Sequence, residues 1–172
     1  MMGPMPTRLL SLSAAFLLLS ISAPALAEVK EGSRASDFTL KDLKGKTVKL
    51  SSFRGKVVVI DFWASWCAPC KKEMPALEGL AKKYADDGVA IFAINIDKDR
   101  ANADKFLASQ TLKHMRVLLD PSGNGVASQY DLPSMPTSYV VDKKGIVRHR
   151  HGGYNSGDEK KVAKEIDALL AK

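Results

Sequence analysis

The sequence predicts a single α/β domain built on a central mixed β-sheet flanked by helices. Three observations carry this. Two continuous apolar runs, Val57-Val58-Val59-Ile60-Asp61-Phe62 and Val89-Ala90-Ile91-Phe92-Ala93-Ile94, suit strands buried on both faces of a parallel sheet. Between them, Met74, Leu77, Ala81 and Tyr84 recur at helical spacing. Downstream, strand and helix patterns keep alternating, which is the signature of the α/β class.

The elements follow in order. Glu28 to Ser36 is a polar lead-in. Phe38-Thr39-Leu40 and Val48-Lys49-Leu50 flank the turn signal Lys44-Gly45-Lys46 and read as a short hairpin. After the first central strand, a helix is expected from Ala68 to Tyr84. Pro75 lies inside it, where it deletes a hydrogen bond and should kink the axis. Asp87-Gly88 separates this helix from the second central strand. A helix over about Ala101–Ser109 and a short strand at Val117-Leu118-Leu119 come next. Asp120-Pro121-Ser122-Gly123 is a turn, and one or two helical turns are expected at Val126–Tyr130. Thr137–Val141 and Gly145–His151 form a hairpin. A last helix starts near Asp158 and carries Val162, Ile166, Leu169 and Leu170 on one face. The alternation Arg148-His149-Arg150-His151 reads as a solvated face of its strand.

The first 27 residues contain no acid and one base, Arg8, and close on Ala25-Leu26-Ala27 after an apolar run. This is the pattern of an export signal cleaved after Ala27, which places the protein in the periplasm; the alternative is a membrane tether by an uncleaved signal. Residues 28–172 then form the domain. A domain of this size can bury about 68–70% of its unfolded surface and needs no staples. The 172 residues carry 26 bases and 19 acids, a net +7. The bases are scattered among acids and the chain is read as exported, so a nucleic-acid partner is not expected.

There are two cysteines, three apart, in Cys67-Ala68-Pro69-Cys70. They follow a buried strand and open a helix. Positions i and i+3 share one side of a helix, so the sulfurs can reach disulfide distance. The first cysteine sits where unpaired N–H groups and the positive dipole end converge, which favours its thiolate. Pro69 stiffens that turn where no helical hydrogen bond is lost. The pair therefore reads as an attacking thiol, Cys67, and a resolving thiol, Cys70. Two other readings stand beside it. A structural bridge over so small a loop would stabilise little. A zinc site would have to recruit His114, His149 or His151, and no second ligand spacing is present.

The segment Asp61-Phe62-Trp63-Ala64-Ser65-Trp66-Cys67-Ala68-Pro69-Cys70 strongly resembles the active-site segment of thioredoxin-like proteins. The wider chain is similar to their exported TlpA/ResA type. The likeness extends to the N-terminal hairpin, Gly55-Lys56, Glu73-Met74-Pro75, an inserted strand-helix segment at roughly 113–130, Met135-Pro136-Thr137 and Val141-Asp142-Lys143-Lys144-Gly145. The resemblance implies a thioredoxin-like fold and thiol–disulfide oxidoreductase activity with no cofactor. It implies that Pro136 is a cis-proline opposite the disulfide and that the Met135 backbone pairs with an extended substrate. It implies that Asp61 is a buried proton acceptor for Cys70, and that Trp66 borders the sulfurs as an apolar substrate contact alongside Pro69. One departure stands out: thioredoxins carry a lysine near that acid, and this chain has Ala93.

The leading expectation is a reductase of protein disulfides in exported clients, acting through a mixed disulfide on Cys67. The resemblance implies a membrane thiol transporter as electron donor, and cytochrome c maturation or metal-site assembly as pathways. A disulfide oxidase or isomerase is the first rival. Such relatives carry an inserted helical domain or dimerisation stalk, for which 145 residues leave no room, so a monomer is expected. A non-enzymatic metallochaperone is the second. A peroxidase is disfavoured because Ala64 stands where a threonine would be needed.

Overall fold

The computed structural model describes Gly3 and residues 29–121 and 125–172. The expected export signal, and part of the turn at 120–123, lie outside the described residues. The chain forms β1 (Thr39–Asp42), β2 (Thr47–Lys49), β3 (Val57–Trp63), α1 (Ala68–Lys83), β4 (Val89–Asn95), α2 (Arg100–Leu107), β5 (Arg116–Leu119), β6 (Thr137–Val141), β7 (Val147–Gly152) and α3 (Asp158–Leu170). The seven strands make one mixed sheet in the order β2-β1-β5-β4-β3-β6-β7. The two apolar runs are its centre: β3 pairs parallel with β4, residue for residue from Val57↔Val89 to Trp63↔Asn95. β5 extends this parallel core, while β6 returns antiparallel along β3.

Strand alternation sorts the core into two layers. Val57, Val59 and Trp63 face the side where buried residues of α1, α2 and α3 gather, including Met74, Leu77, Ala103 and Ile166. Val58, Ile60 and Phe62 face the other side. There Phe38, Leu50, Val126 and Tyr130 cover the sheet without a long helix. Asp61 is in phase with the first set, so it points toward the helices.

The expected inserted strand is β5, and the helical turn expected at Val126–Tyr130 is a single 3-10 turn over Ala127–Gln129. Two expectations need correction. The lead-in is not simply polar: Val29 and Ala35 are buried, and the segment runs along the outer edge of β7. The histidines of β7 are not a solvated face. Across the bulge in the β6–β7 pairing, His149 and His151 lie opposite Val140 and Ser138 and turn toward Glu165 of α3, while Arg148 and Arg150 are exposed. Pro75 is accommodated inside a helix that runs unbroken over 16 residues.

Candidate active site

β3 ends and α1 begins within four residues, so Ala64, Ser65 and Trp66 form a short loop that delivers Cys67 to the helix N-terminus. Cys67 is the N-cap, with extended backbone, and Cys70 N–H donates to its sulfur at 3.2 Å. A helix N-cap supplies an acceptor to such an orphan N–H; here a sulfur fills that role, and a thiolate would fill it better. Pro69 stands in the first turn. The two cysteines form a disulfide with Cα atoms 5.3 Å apart. Both are buried, whereas Trp66 beside them is 68% exposed. Trp63, by contrast, is fully buried and packs its ring on Phe106.

The antiparallel register of β3 and β6 places Thr137 opposite Phe62. The Met135–Pro136 loop therefore opens at the same end of the sheet as the cysteine loop. The Met135–Pro136 peptide bond is cis. Pro136 is buried, and Met135 is half-buried against both core layers. Gly152 lets β7 approach this loop: a Cβ there would stand 2.8 Å from the Ser134 hydroxyl oxygen. Thus the structure brings Cys67, Cys70, Trp66, Pro69, Met135 and Pro136 to one end of the sheet.

Asp61 lies below them, 1% exposed. It is paired in register with Ser138, whose hydroxyl donates to its Oδ1 at 3.2 Å. The same hydroxyl lies 3.4 Å from Glu73 Oε1. Glu73 is only 6% exposed, and its Oε2 has no hydrogen-bond partner among the described residues. Burial pushes the Asp61 carboxyl well above its ordinary range, the neighbouring Glu73 adds to this, and the Ser138 hydroxyl opposes it. Glu73 is pushed up to about 7, first by burial and then by Asp158, again against Ser138. Opposite Asp61 on β4 stands Ala93, so this strand supplies no cation to the acid.

The sequence reading singled out Asp61 and missed Glu73 as a site residue. A signal existed. Glu73 lies three residues beyond Cys70 and beside Met74 in the inward stripe that continues through Leu77 and Ala81. An acid in that stripe is costly unless it is paired or used.

The site can exchange disulfides. Cys67 can present a thiolate at the helix end, Cys70 can resolve the intermediate, and two proton-holding acids sit beneath. Known proteins resemble this chain. The chain is 36% identical over 142 residues to the thioredoxin-like protein YneN of Bacillus subtilis, covering 81% of each. It is 38% identical over 116 residues to the thiol-disulfide oxidoreductase ResA of Bacillus thuringiensis, covering 67% of this chain and 66% of that protein. It is similar to a DsbE-like thiol:disulfide interchange protein of Chlorobium tepidum, with TM-score 0.77, 36% identity and coverage of 83% and 99%. The exposed lipoprotein thioredoxin of Streptococcus pneumoniae matches with TM-score 0.69, 30% identity and coverage of 78% and 100%. The Redoxin family matches residues 30–166. The chain therefore belongs to the redoxin family, as a thioredoxin-like thiol–disulfide oxidoreductase of the ResA/TlpA type.

Proposed function

We propose that this oxidoreductase works as a reductant of disulfides in exported protein clients. The observation that carries the reading is the cysteine pair at the start of α1 above two buried acids, Asp61 and Glu73, that share the Ser138 hydroxyl. Cys67 thiolate attacks a client sulfur and expels the other as a thiolate. Cys70 passes its proton to the Asp61–Glu73 pair and attacks Cys67 Sγ. The client leaves reduced, and the enzyme disulfide forms. Ala68 and Pro69 offer no charge or imidazole to hold the reduced thiolate strongly. That favours giving electrons over taking them.

Trp66 supplies an apolar rest for the client, and the backbone at Met135, before Pro136, pairs with an extended client segment. Pro69 borders the sulfurs on the other side. The signal over 1–27 is removed after Ala27 and the enzyme works in the periplasm, recharged by a membrane thiol transporter. Cytochrome c maturation and metal-site assembly are the pathways whose clients need this chemistry.

Two measurements test this. The equilibrium redox potential against glutathione should lie on the reducing side of the glutathione couple; a strongly oxidising value would assign the enzyme to the oxidases or isomerases. Cys70→Ser should trap exported clients on Cys67 as stable mixed disulfides, released by dithiol. Failure to trap any client would count against a protein-disulfide substrate.

A further inference from the structure

Asp61 is sealed from solvent, so a proton taken from Cys70 needs a way out. Its partner on β6, the Ser138 hydroxyl, also reaches Glu73. A hydroxyl can accept a proton from one acid while donating its own to the other, so rotation of Ser138 passes a proton from Asp61 to Glu73. Glu73 and Ser138 both line a cleft of about 290 Å³ between α1, β7 and α3. This cleft is polar and large enough for a chain of waters.

His151 lines the same cleft. Its Nε2 lies 2.7 Å from Glu165 Oε2 of α3, and His149 Nδ1 stands 3.7 Å from the other oxygen of that carboxylate. Imidazole is the side chain suited to passing protons near neutrality, and a carboxylate on one ring nitrogen fixes its orientation. Asp158, Glu159, Arg150 and Lys161 complete the charged rim. Arg150 is paired with Asp131, and Asp158 lies close enough to Glu73 to act on its titration.

We propose that this cleft is the proton outlet of the Asp61–Ser138–Glu73 group, and that His151 carries the proton across its mouth. The inference rests on the acids being the proton acceptors of Cys70. The step balances. The Cys70 S–H bond breaks and its electron pair forms the bond to Cys67 Sγ. The bond from Cys67 to the client sulfur breaks, and the client leaves as a thiolate. The Cys70 proton crosses Asp61, Ser138, Glu73 and the cleft to bulk water, and a proton from bulk water meets the client thiolate.

The test is single-turnover kinetics of the full protein with a disulfide-bonded peptide, resolving Cys67 attack from Cys70 attack. Two variants act on the outlet alone: His151→Gln removes the carrier, and Ala76→Leu fills the cleft from the half-buried wall of α1. In both, Cys67 attack should keep its rate while the Cys70 step slows about fivefold or more above neutral pH, with a larger solvent isotope effect. Free imidazole should restore the rate in His151→Gln and not in Ala76→Leu. If both variants resolve at the wild-type rate from about pH 6 to 9 at every buffer concentration, the outlet is overturned. Asp61→Asn in the same assay separates the two ideas. Slow resolution there, with fast resolution in the outlet variants, sinks only the outlet; fast resolution in Asp61→Asn sinks the acceptor role itself.

Discussion

Asp61 on β3 and Asp97 just beyond β4 are both sealed from solvent, 1% and 3% exposed, beneath the same cysteine loop. Their surroundings differ. Asp97 accepts Ser65 N–H at 2.9 Å, the Ser65 hydroxyl at 3.0 Å and the Asn95 amide at 2.8 Å. Asp61 accepts one hydroxyl, and shares it with a second acid. A sealed carboxylate saturated by donors is a tie: it fixes the loop that carries Trp66 and Cys67. A sealed pair with one donor between them is a place to hold a proton, because ionising both in a site with so little compensation is costly.

That contrast can be broken by experiment. The largest effect is expected from Asp61→Asn. The Cys70 step should fall about 100-fold in stopped-flow turnover, while Cys67 attack stays within about twofold. Resolution near the wild-type rate would sink the acceptor role of the buried acids. Next is the pH dependence of stability. Both acids titrate higher in the folded protein than in the unfolded chain, so folding takes up protons. Their stabilising contribution is complete below the unfolded values and is lost as pH rises through the folded ones, about 7 for Glu73. From pH 5 to 8 it should fall by on the order of 1–3 kcal/mol, read from urea midpoints of the oxidised protein. Glu73→Gln should be the more stable protein at pH 8 and lose that advantage at pH 5.

Asp97→Asn should cost about 1–2 kcal/mol and leave the pH profile of the resolving step where it is. A shifted profile would erase the distinction between the two acids. Smallest is Trp66→Ala. Its exposed ring holds nothing in place, so stability should change by less than about 0.5 kcal/mol. Capture of clients by Cys70→Ser should still weaken about threefold or more, since a large apolar contact is gone.

Much of this site was legible because its signals are local. Cys67 and Cys70 announce themselves by spacing, and the apolar run around Asp61 marks it as an acid inside a strand. The Met135–Pro136 loop was legible only through resemblance. What the chain hid was pairing across long separations. The stripe of Met74, Leu77 and Ala81 marks Glu73 as inward, but its partner Ser138 arrives only with β6. His149 and His151 looked solvated because Arg148 and Arg150 surround them. Buried Val147 gave no cue, because the bulge at Val140/Val141 puts it on the other face of the sheet, and α3, which supplies Glu165, closes over the histidines only in the folded domain. The segment after β5 was legible only to the nearest turn: the few apolar residues at Val126–Tyr130 mark a helical turn, and local pattern does not tell a 3-10 turn from an α-helical one.

The lead-in along β7 has a consequence for how a client departs. Gly32 N–H donates to Val147 O, Val147 N–H donates to Ser33 O, and Glu31 accepts Arg150 N–H, so the first part of the outer rim of β7 is engaged from within the chain. The opposite rim, β2, is only three residues long. A partly unfolded protein held by one sulfur carries loose strands that would template onto any free sheet border. With one border partly engaged and the other cut short, the sheet gives those strands less to grow on. The covalent bond is then the principal tether, and breaking it can free the client.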